Sequence, residues 1–375
     1  MKKVIYLDIA ASAPVNAEVL DIFVESTKND FANPHAAHKL GVNLANKIKS
    51  SKLSIQQLFH QSFNVVFTSS ATESNNLILS QFASGKSLCS SVYHPSMTEP
   101  LVKGEATFKE LPINQYAQID FVKLQEMNLN SFDLIALQWV NNQCGTIENI
   151  EKVSEYIKEV NSDCWIHVDG VQAIGKVDSN INFENIDSLS IGGHKIGAPK
   201  GIGCLLIKGE KSHLIKPLLK GGGQEDNLRS STVSVPLVLS LTKALELQVN
   251  ELKISSLVKK RHQIKSSLVE VIGDKVEFPF EEFSCPSILG FFINGISSDV
   301  VMRCLEEKGI IVSSSSACSS KSKKENLMLK KLGYSLDKQK SFLRISFDGC
   351  LSSDDIGEFQ NRLASAWEDL SFLIR

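Results

Sequence analysis

The eight cysteines of this chain (Cys89, Cys144, Cys164, Cys204, Cys285, Cys304, Cys318 and Cys350) include no Cys-x-x-Cys pair. A zinc framework and a disulfide scaffold are thereby excluded, and no metal site is expected. Most of the thiols are expected as small buried hydrophobes. No uninterrupted apolar run is long enough to span a bilayer. Asp8 cuts short the apolar stretch after Met1, so no signal-peptide hydrophobic region is expected. Charge of one sign is also lacking: 40 basic and 42 acidic residues give a formal net charge of -2. No global field argues for nucleic acid or a membrane as partner. The local cluster Lys321, Lys323, Lys324, Lys330 and Lys331 reads as a solvated helix face. There is no internal repeat, and the only biased run, Ser313 to Ser316, is too short for a disordered linker. A cytoplasmic protein with free thiols is the expectation.

What is present is 375 residues of ordinary globular composition, 42% hydrophobic and 22% charged, enough for two domains and a sizeable core. Strand-like runs at 4–7, 64–68, 87–91, 134–140, 164–169, 186–191 and 203–207 alternate with helical spacings at 17–28, 40–58, 73 onward and 151–160. The stretch 234–260 reads as one long helical run, interrupted early by Pro236, and a domain boundary is placed inside or just after it. Beyond Val276, strands at 288–292, 310–312 and 343–347 alternate with helices at 298–308, 326–332 and 353–370, a smaller α+β unit. The expected division is a large domain of residues 15–250, with 1–14 and 251–375 forming the small one.

Polar side chains recur where the strands stop: Thr72, His94, Asn142, Asp169, Gln172, His194 and Lys195. In an open α/β sheet those ends line the ligand crevice, so these residues are expected to converge. Lys195 sits in the glycine-rich turn Gly192-Gly193-His194-Lys195, where taken alone it reads as a solvated lysine before it reads as a Schiff-base lysine, and the rest of the chain decides. Ser70 to Ser74, before the helix near Glu73, offers either plain capping or a phosphate site at a helix N-terminus. Together, a lysine, a carboxylate and a phosphate site suggest pyridoxal 5'-phosphate, whose ring nitrogen needs an acid partner. Lys195, Asp169, the 70–74 turn and His94, stacked on the ring, fill those roles, with Gln172 or Asn142 on the ring hydroxyl.

Five ordered motifs carry a resemblance: Val168-Asp169-x-x-Gln172, Gly193-His194-Lys195, Ala71-Thr72-Glu73-Ser74-Asn75-Asn76, Val140-Asn141-Asn142 and Ser316-Ala317-Cys318. Together they resemble the group I cysteine desulfurases of the class V aminotransferase-like family. The likeness runs from Tyr6-Leu7-Asp8 to Leu343-Arg344-Ile345-Ser346. The resemblance implies PLP fold type I: a large domain with a mostly parallel seven-stranded α/β sheet and a smaller α+β C-terminal domain. It implies conversion of L-cysteine to L-alanine, with Lys195 moving a proton and the Cys318 thiolate taking the sulfur as a persulfide. That persulfide would feed an acceptor protein for iron–sulfur cluster assembly or tRNA thiolation. His94 is implied as the catalytic histidine and Arg344 and Asn142 as substrate contacts. Ala71, Thr72, Gly192, Gly193 and His194 are implied at the cofactor. A homodimer is implied, with Thr232 reaching the partner subunit's cofactor phosphate.

Cys318 lies among serines with lysines nearby, a poor core position and a good one for a mobile thiolate. Four positions depart from the family pattern. Ile9 follows Asp8 where asparagine is usual, Gly192 stands where a phosphate-binding serine is usual, Gln224 replaces a histidine, and Tyr93 replaces an acidic residue before His94. Selenocysteine lyase or cysteine lyase activity is the enzyme alternative. A weakened scaffold subunit that binds a sulfur carrier is the alternative of another class.

Overall fold

The computed structural model describes residues 3–83, 86–102, 107–250, 254–314 and 325–371. Strand β1 (Ile5–Tyr6) is followed by helices α1 (Ala17–Asn29) and α2 (Lys39–Leu58), then β2 (Phe63–Thr68) and α3 (Ala71–Leu79). Next come β3 (Ser87–Cys89), α4 (Pro95–Thr98), β4 (Lys109–Glu110), α5 (Phe121–Gln125), β5 (Leu134–Gln138) and α6 (Ile150–Val160). Strands β6 (Trp165–Asp169), β7 (Ser188–Gly192) and β8 (Gly203–Lys208) complete the large sheet. Within the run 234–260 the described helices are α7 (Val235–Asn250) and the start of α8 (Ile254–Ile272). The remainder is β9 (Val276–Glu277), β10 (Ile288–Ile293), α9 (Ser298–Glu307), β11 (Ile310–Ile311), β12 (Ser313–Ser314), α10 (Leu327–Lys331), α11 (Leu336–Gln339), β13 (Phe342–Ser346) and α12 (Ser353–Ser371).

The large sheet has seven strands in the order β2-β8-β7-β6-β5-β3-β4. Its pairs are parallel except at β8, which runs antiparallel to both β7 and β2. Strands β5 and β6 are buried at every residue, the mark of a sheet covered on both faces. A second sheet, β12-β13-β10-β9, is antiparallel, and β1 pairs in parallel with β11.

Two hydrophobic cores result. One gathers Val66, Leu77, Ile135, Val168, Leu205 and Leu241 around the large sheet. The other gathers Ile5, Leu7, Ile264, Phe291, Ile345 and Phe359 around the second. The chain before α1 runs between them. Leu7 sits in the second core and Ala10 in the first. Ala10 N–H donates to Ser346 Oγ, Ala13 N–H to the His194 carbonyl, and Asn16 N–H to the Gly197 carbonyl.

Candidate active site

The C-terminal ends of β2, β3, β5, β6 and β7 lie at one edge of the large sheet, because all five point the same way. Each delivers a polar group there. Asp169 ends β6, Gly192 ends β7, Asn142 follows β5, His94 follows β3, and α3 begins three residues after β2.

Ser70 caps α3: its Oγ accepts the Glu73 N–H at 3.2 Å. The Glu73 carboxylate accepts the Ser69 N–H at 2.7 Å and the Arg229 Nε–H at 2.9 Å. The N–H groups of Ala71 and Thr72 are left without an intrahelical partner, as the first turn of a helix requires. This start is pressed against the sheet. A Cβ on Gly203 would lie 2.8 Å from the Ser70 carbonyl carbon and 3.0 Å from Ala71 N, so only glycine lets β8 approach so closely. Capping and a phosphate-sized set of free N–H groups therefore coexist in one turn.

Asp169 is buried, with 4% of its surface exposed. One carboxylate oxygen accepts from Val171 N–H at 3.0 Å and the other from Asn75 Nδ2 at 3.1 Å. Burial pushes its pKa up, against the pull of these donors and of His94 and Lys195. His94 caps α4; its Nδ1 accepts the Ser96 N–H at 3.1 Å and lies 2.8 Å from Ser96 Oγ. Although His94 keeps an exposed edge, the surrounding protein holds its pKa below the usual value. Asp169 opposes that shift and Lys195 reinforces it. The three ionisable groups thus sit within one another's fields.

Lys195 closes a short 3-10 turn, Gly193–Lys195, after β7. Its Nζ donates to the carbonyls of Ala10 and Ala11 at 2.7 and 2.6 Å. Gly193 is required: a Cβ there would lie 2.9 Å from the Ile202 carbonyl oxygen. Gly192 is different, since a Cβ would find only Ala71 Cβ at 3.4 Å and Val171 at 3.6 Å, ordinary contacts. His194 Nδ1 lies 3.3 Å from Ser12 Oγ, and burial with the neighbouring lysines pushes its pKa down to about 4.

Gln172 uses its Nε2 on the Ala10 carbonyl at 2.8 Å, which leaves its buried Oε1 without a partner. Gln172 therefore offers this pocket an acceptor, where the sequence reading had it among the ring-hydroxyl contacts without a direction. Arg344, on β13, donates Nη1 to the Asn142 carbonyl at 2.6 Å and Nη2 to Asp8 at 2.5 Å. Its buried Nε has no partner. Arg344 is thus brought beside Asn142, with part of its fork engaged by Asp8. Thr232 lies exposed on the loop before α7, and Cys318 lies outside the described residues.

Sequence reasoning missed Asn75, Ser96 and Lys176. Asn75 stood inside a motif read only as a phosphate turn. Lys176 is 3% exposed with an unpartnered Nζ, and burial pushes its pKa down to about 8; Lys195 and Arg344 add to that shift.

The residues present fit pyridoxal 5'-phosphate: a buried carboxylate for the ring nitrogen, free N–H groups at a helix start, a lysine at the adjoining strand end, and an unsatisfied acceptor at Gln172. The profile of the aminotransferase class-V family matches residues 5–359. The chain is 30% identical to a cysteine desulfurase IscS of Dictyoglomus turgidum over 95% of this chain and 92% of that one. It is also 30% identical to a mitosomal cysteine desulfurase of Trachipleistophora hominis, over 98% and 86%. Among solved structures, a NifS-like protein superposes with a TM-score of 0.88 at 26% identity, over 99% of this chain and all of that one. The structure of SspA in complex with cysteine gives 0.78 at 27% identity, over 91% and 98%.

Proposed function

The chain belongs to the class-V aminotransferase family, and from that premise we propose that it is a cysteine desulfurase that uses pyridoxal 5'-phosphate. The observation that carries the proposal is the convergence of Lys195, Asp169, His94 and the free start of α3 at one edge of the sheet. When bound, pyridoxal 5'-phosphate supplies a sink for the electron pair left at the substrate carbon. Asp169 holds the ring nitrogen, the N–H groups of Ala71 and Thr72 hold the phosphate with Gly192, Gly193 and His194 beside them, and His94 covers the ring. Gln172 and Asn142 flank it. Thr232, exposed on its own protomer, is assigned to the partner subunit's phosphate in a homodimer.

The substrate carboxylate is assigned to Arg344, through its unpartnered Nε and by competition with Asp8. Lys195 carries the proton from the substrate α-carbon. The Cys318 thiolate attacks the substrate sulfur: the new S–S bond forms, the C–S bond breaks, and its electron pair returns to carbon. Protonation there gives L-alanine, and the sulfur stays on Cys318 as a persulfide for an acceptor protein. The proposed division is residues 15–250 and the remainder; all buried members of the second core fall in the remainder, while the first core also takes in Ala10, Phe280, Ile288 and Phe342. A cytoplasmic setting is part of the proposal; no helix among the described residues is long and apolar enough to cross a membrane.

The test is alanine release from L-cysteine by the purified protein with added pyridoxal 5'-phosphate. Cys318→Ala is expected to lose at least about a hundredfold in persulfide formation while still binding the cofactor. Persulfide formation at the wild-type rate in that variant would overturn the mechanism.

A further inference from the structure

The groups beneath His94 and Asp169 form one unbroken hydrogen-bonded chain. Trp165 Nε1 donates to Ser188 Oγ at 2.8 Å, and Ser188 Oγ lies 2.8 Å from His167 Nδ1. His167 Nε2 lies 2.9 Å from Asn75 Oδ1. Asn75 Nδ2 donates to Asp169 Oδ2 at 3.1 Å and to Ser96 Oγ at 2.9 Å. Ser96 Oγ then lies 2.8 Å from His94 Nδ1. Asn75, His167 and Ser188 have no exposed surface, so bulk water does not compete for these groups.

Proton placement has one consistent solution. The ionised Asp169 carboxylate only accepts, which fixes the amide of Asn75: one Nδ2 hydrogen to Asp169, the other to Ser96, and Oδ1 toward His167. His167 is therefore protonated at Nε2, and its bare Nδ1 accepts from Ser188, which itself accepts from the Trp165 indole. Ser96 accepts from Asn75 and donates to His94 Nδ1. The ring proton of neutral His94 is left on Nε2.

We propose that Asn75, Ser96 and His167 form a positioning relay that orients the Asp169 carboxylate and fixes His94 as its Nε2–H tautomer, so that His94 presents a donor. Its meaning for the reaction rests on the function proposed above; the tautomer itself does not. Both N–H donors of the Asn75 side chain and its carbonyl oxygen are engaged by the relay. A mere core filler has no need of such a match. Two donors are aimed at Nδ1, the Ser96 hydroxyl and the Ser96 N–H.

The test is nitrogen NMR on full-length protein carrying labelled histidine, with and without added pyridoxal 5'-phosphate; His94→Gln identifies the His94 signals. Wild-type His94 and His167 are expected as single Nε2–H tautomers. In Ser96→Ala the Ser96 N–H still donates to Nδ1, so His94 is expected to keep the Nε2–H tautomer with a pKa higher by roughly one unit, with His167 unchanged. The charges acting on His94, Asp169 from β6 and Lys195 from the turn after β7, are the same in both proteins. Ser96→Thr restores the hydroxyl and is expected to restore the parent pKa. Asn75→Leu is expected to disturb both histidines; where it does not fold, the serine pair decides. An Nδ1–H tautomer in wild type, or a Ser96→Ala spectrum identical to wild type, would overturn the relay. A fixed Nε2–H tautomer in protein that releases no alanine from cysteine would support the relay and count against the desulfurase reading alone.

Discussion

Gly192 has room for the side chain it lacks. Its backbone, φ −114° and ψ 117°, is ordinary extended strand, and a Cβ would meet Ala71 and Val171 at van der Waals distance. Gly192→Ser is therefore expected to fold as well as the parent. It adds a hydroxyl at the start of α3, where a charge-assisted hydrogen bond of about 1.5–3 kcal/mol is available. Dissociation of pyridoxal 5'-phosphate from the variant, followed by cofactor fluorescence, should weaken at least about tenfold. Unchanged affinity would place the phosphate elsewhere. Lys195 and Asp169 were legible in the sequence because each lies at or just after the end of a strand whose apolar run announces it. Asn75 was not, for a physical reason: its partners Asp169, His167 and Ser96 come from two other elements, and only the packing of α3 on β6 and α4 joins them. Arg344 was half legible. Its position followed from motif, but its engagement with Asp8 depends on the route of the chain before α1.

Among elements, the turn Glu225–Asn227 carries the backbone strain. Three successive non-glycine residues are left-handed, with φ of 50°, 57° and 65°. What holds the turn is Glu225. Its carboxylate accepts Phe67 N–H at 2.8 Å on the outer edge of β2 and pairs with Lys52 at 3.1 Å. An edge strand is thereby covered, and Arg229 is set on Glu73 at the start of α3. Asp226 makes only an exposed pairing with Lys52 at 3.6 Å. Asp226→Gly should relieve strain and raise stability by about 0.5–1 kcal/mol, read as a higher urea midpoint at unchanged slope. A lower midpoint would show that the turn is not strained. Helices and strands were largely visible as 3.6- and 2-residue periods. The antiparallel direction of β8 was not, because Gly203–Lys208 reads the same either way; its direction comes from pairing with β2 and β7.

For the whole molecule, three buried groups set the response to acid. His167 is held at a pKa of about 3 by burial and His194 at about 4 by burial and nearby lysines. Between about pH 4.5 and 6.5 the unfolded chain protonates both while the native protein does not, so their contribution is lost as pH falls. Glu148 acts in the opposite sense. Burial raises its pKa to about 7, so the native protein holds a proton that the unfolded chain releases. His94, lowered, and Asp169, raised, offset one another in sign. One net proton remains, and unfolding free energy should rise by about 1.4 kcal/mol per pH unit across this window. Glu148→Gln removes the opposing group and should roughly double that slope in urea titrations. A flat profile for the parent would mean that the histidines are not buried neutral.

The chain before α1 does more than connect two cores. Leu7 and Asp8 are fastened to the small sheet through Ser346 and Arg344, while Ala10 and Ala11 cap the ammonium of Lys195, and Ala13 and Asn16 grip the turn that carries it. It therefore works as a ruler, with one end in each core and the lysine at its middle graduation. The resting place of Lys195 is gauged from outside the sheet that bears it, so the lysine is tied through Ala10 and Ala11 to the same segment that Ser346 and Arg344 fasten to the small sheet.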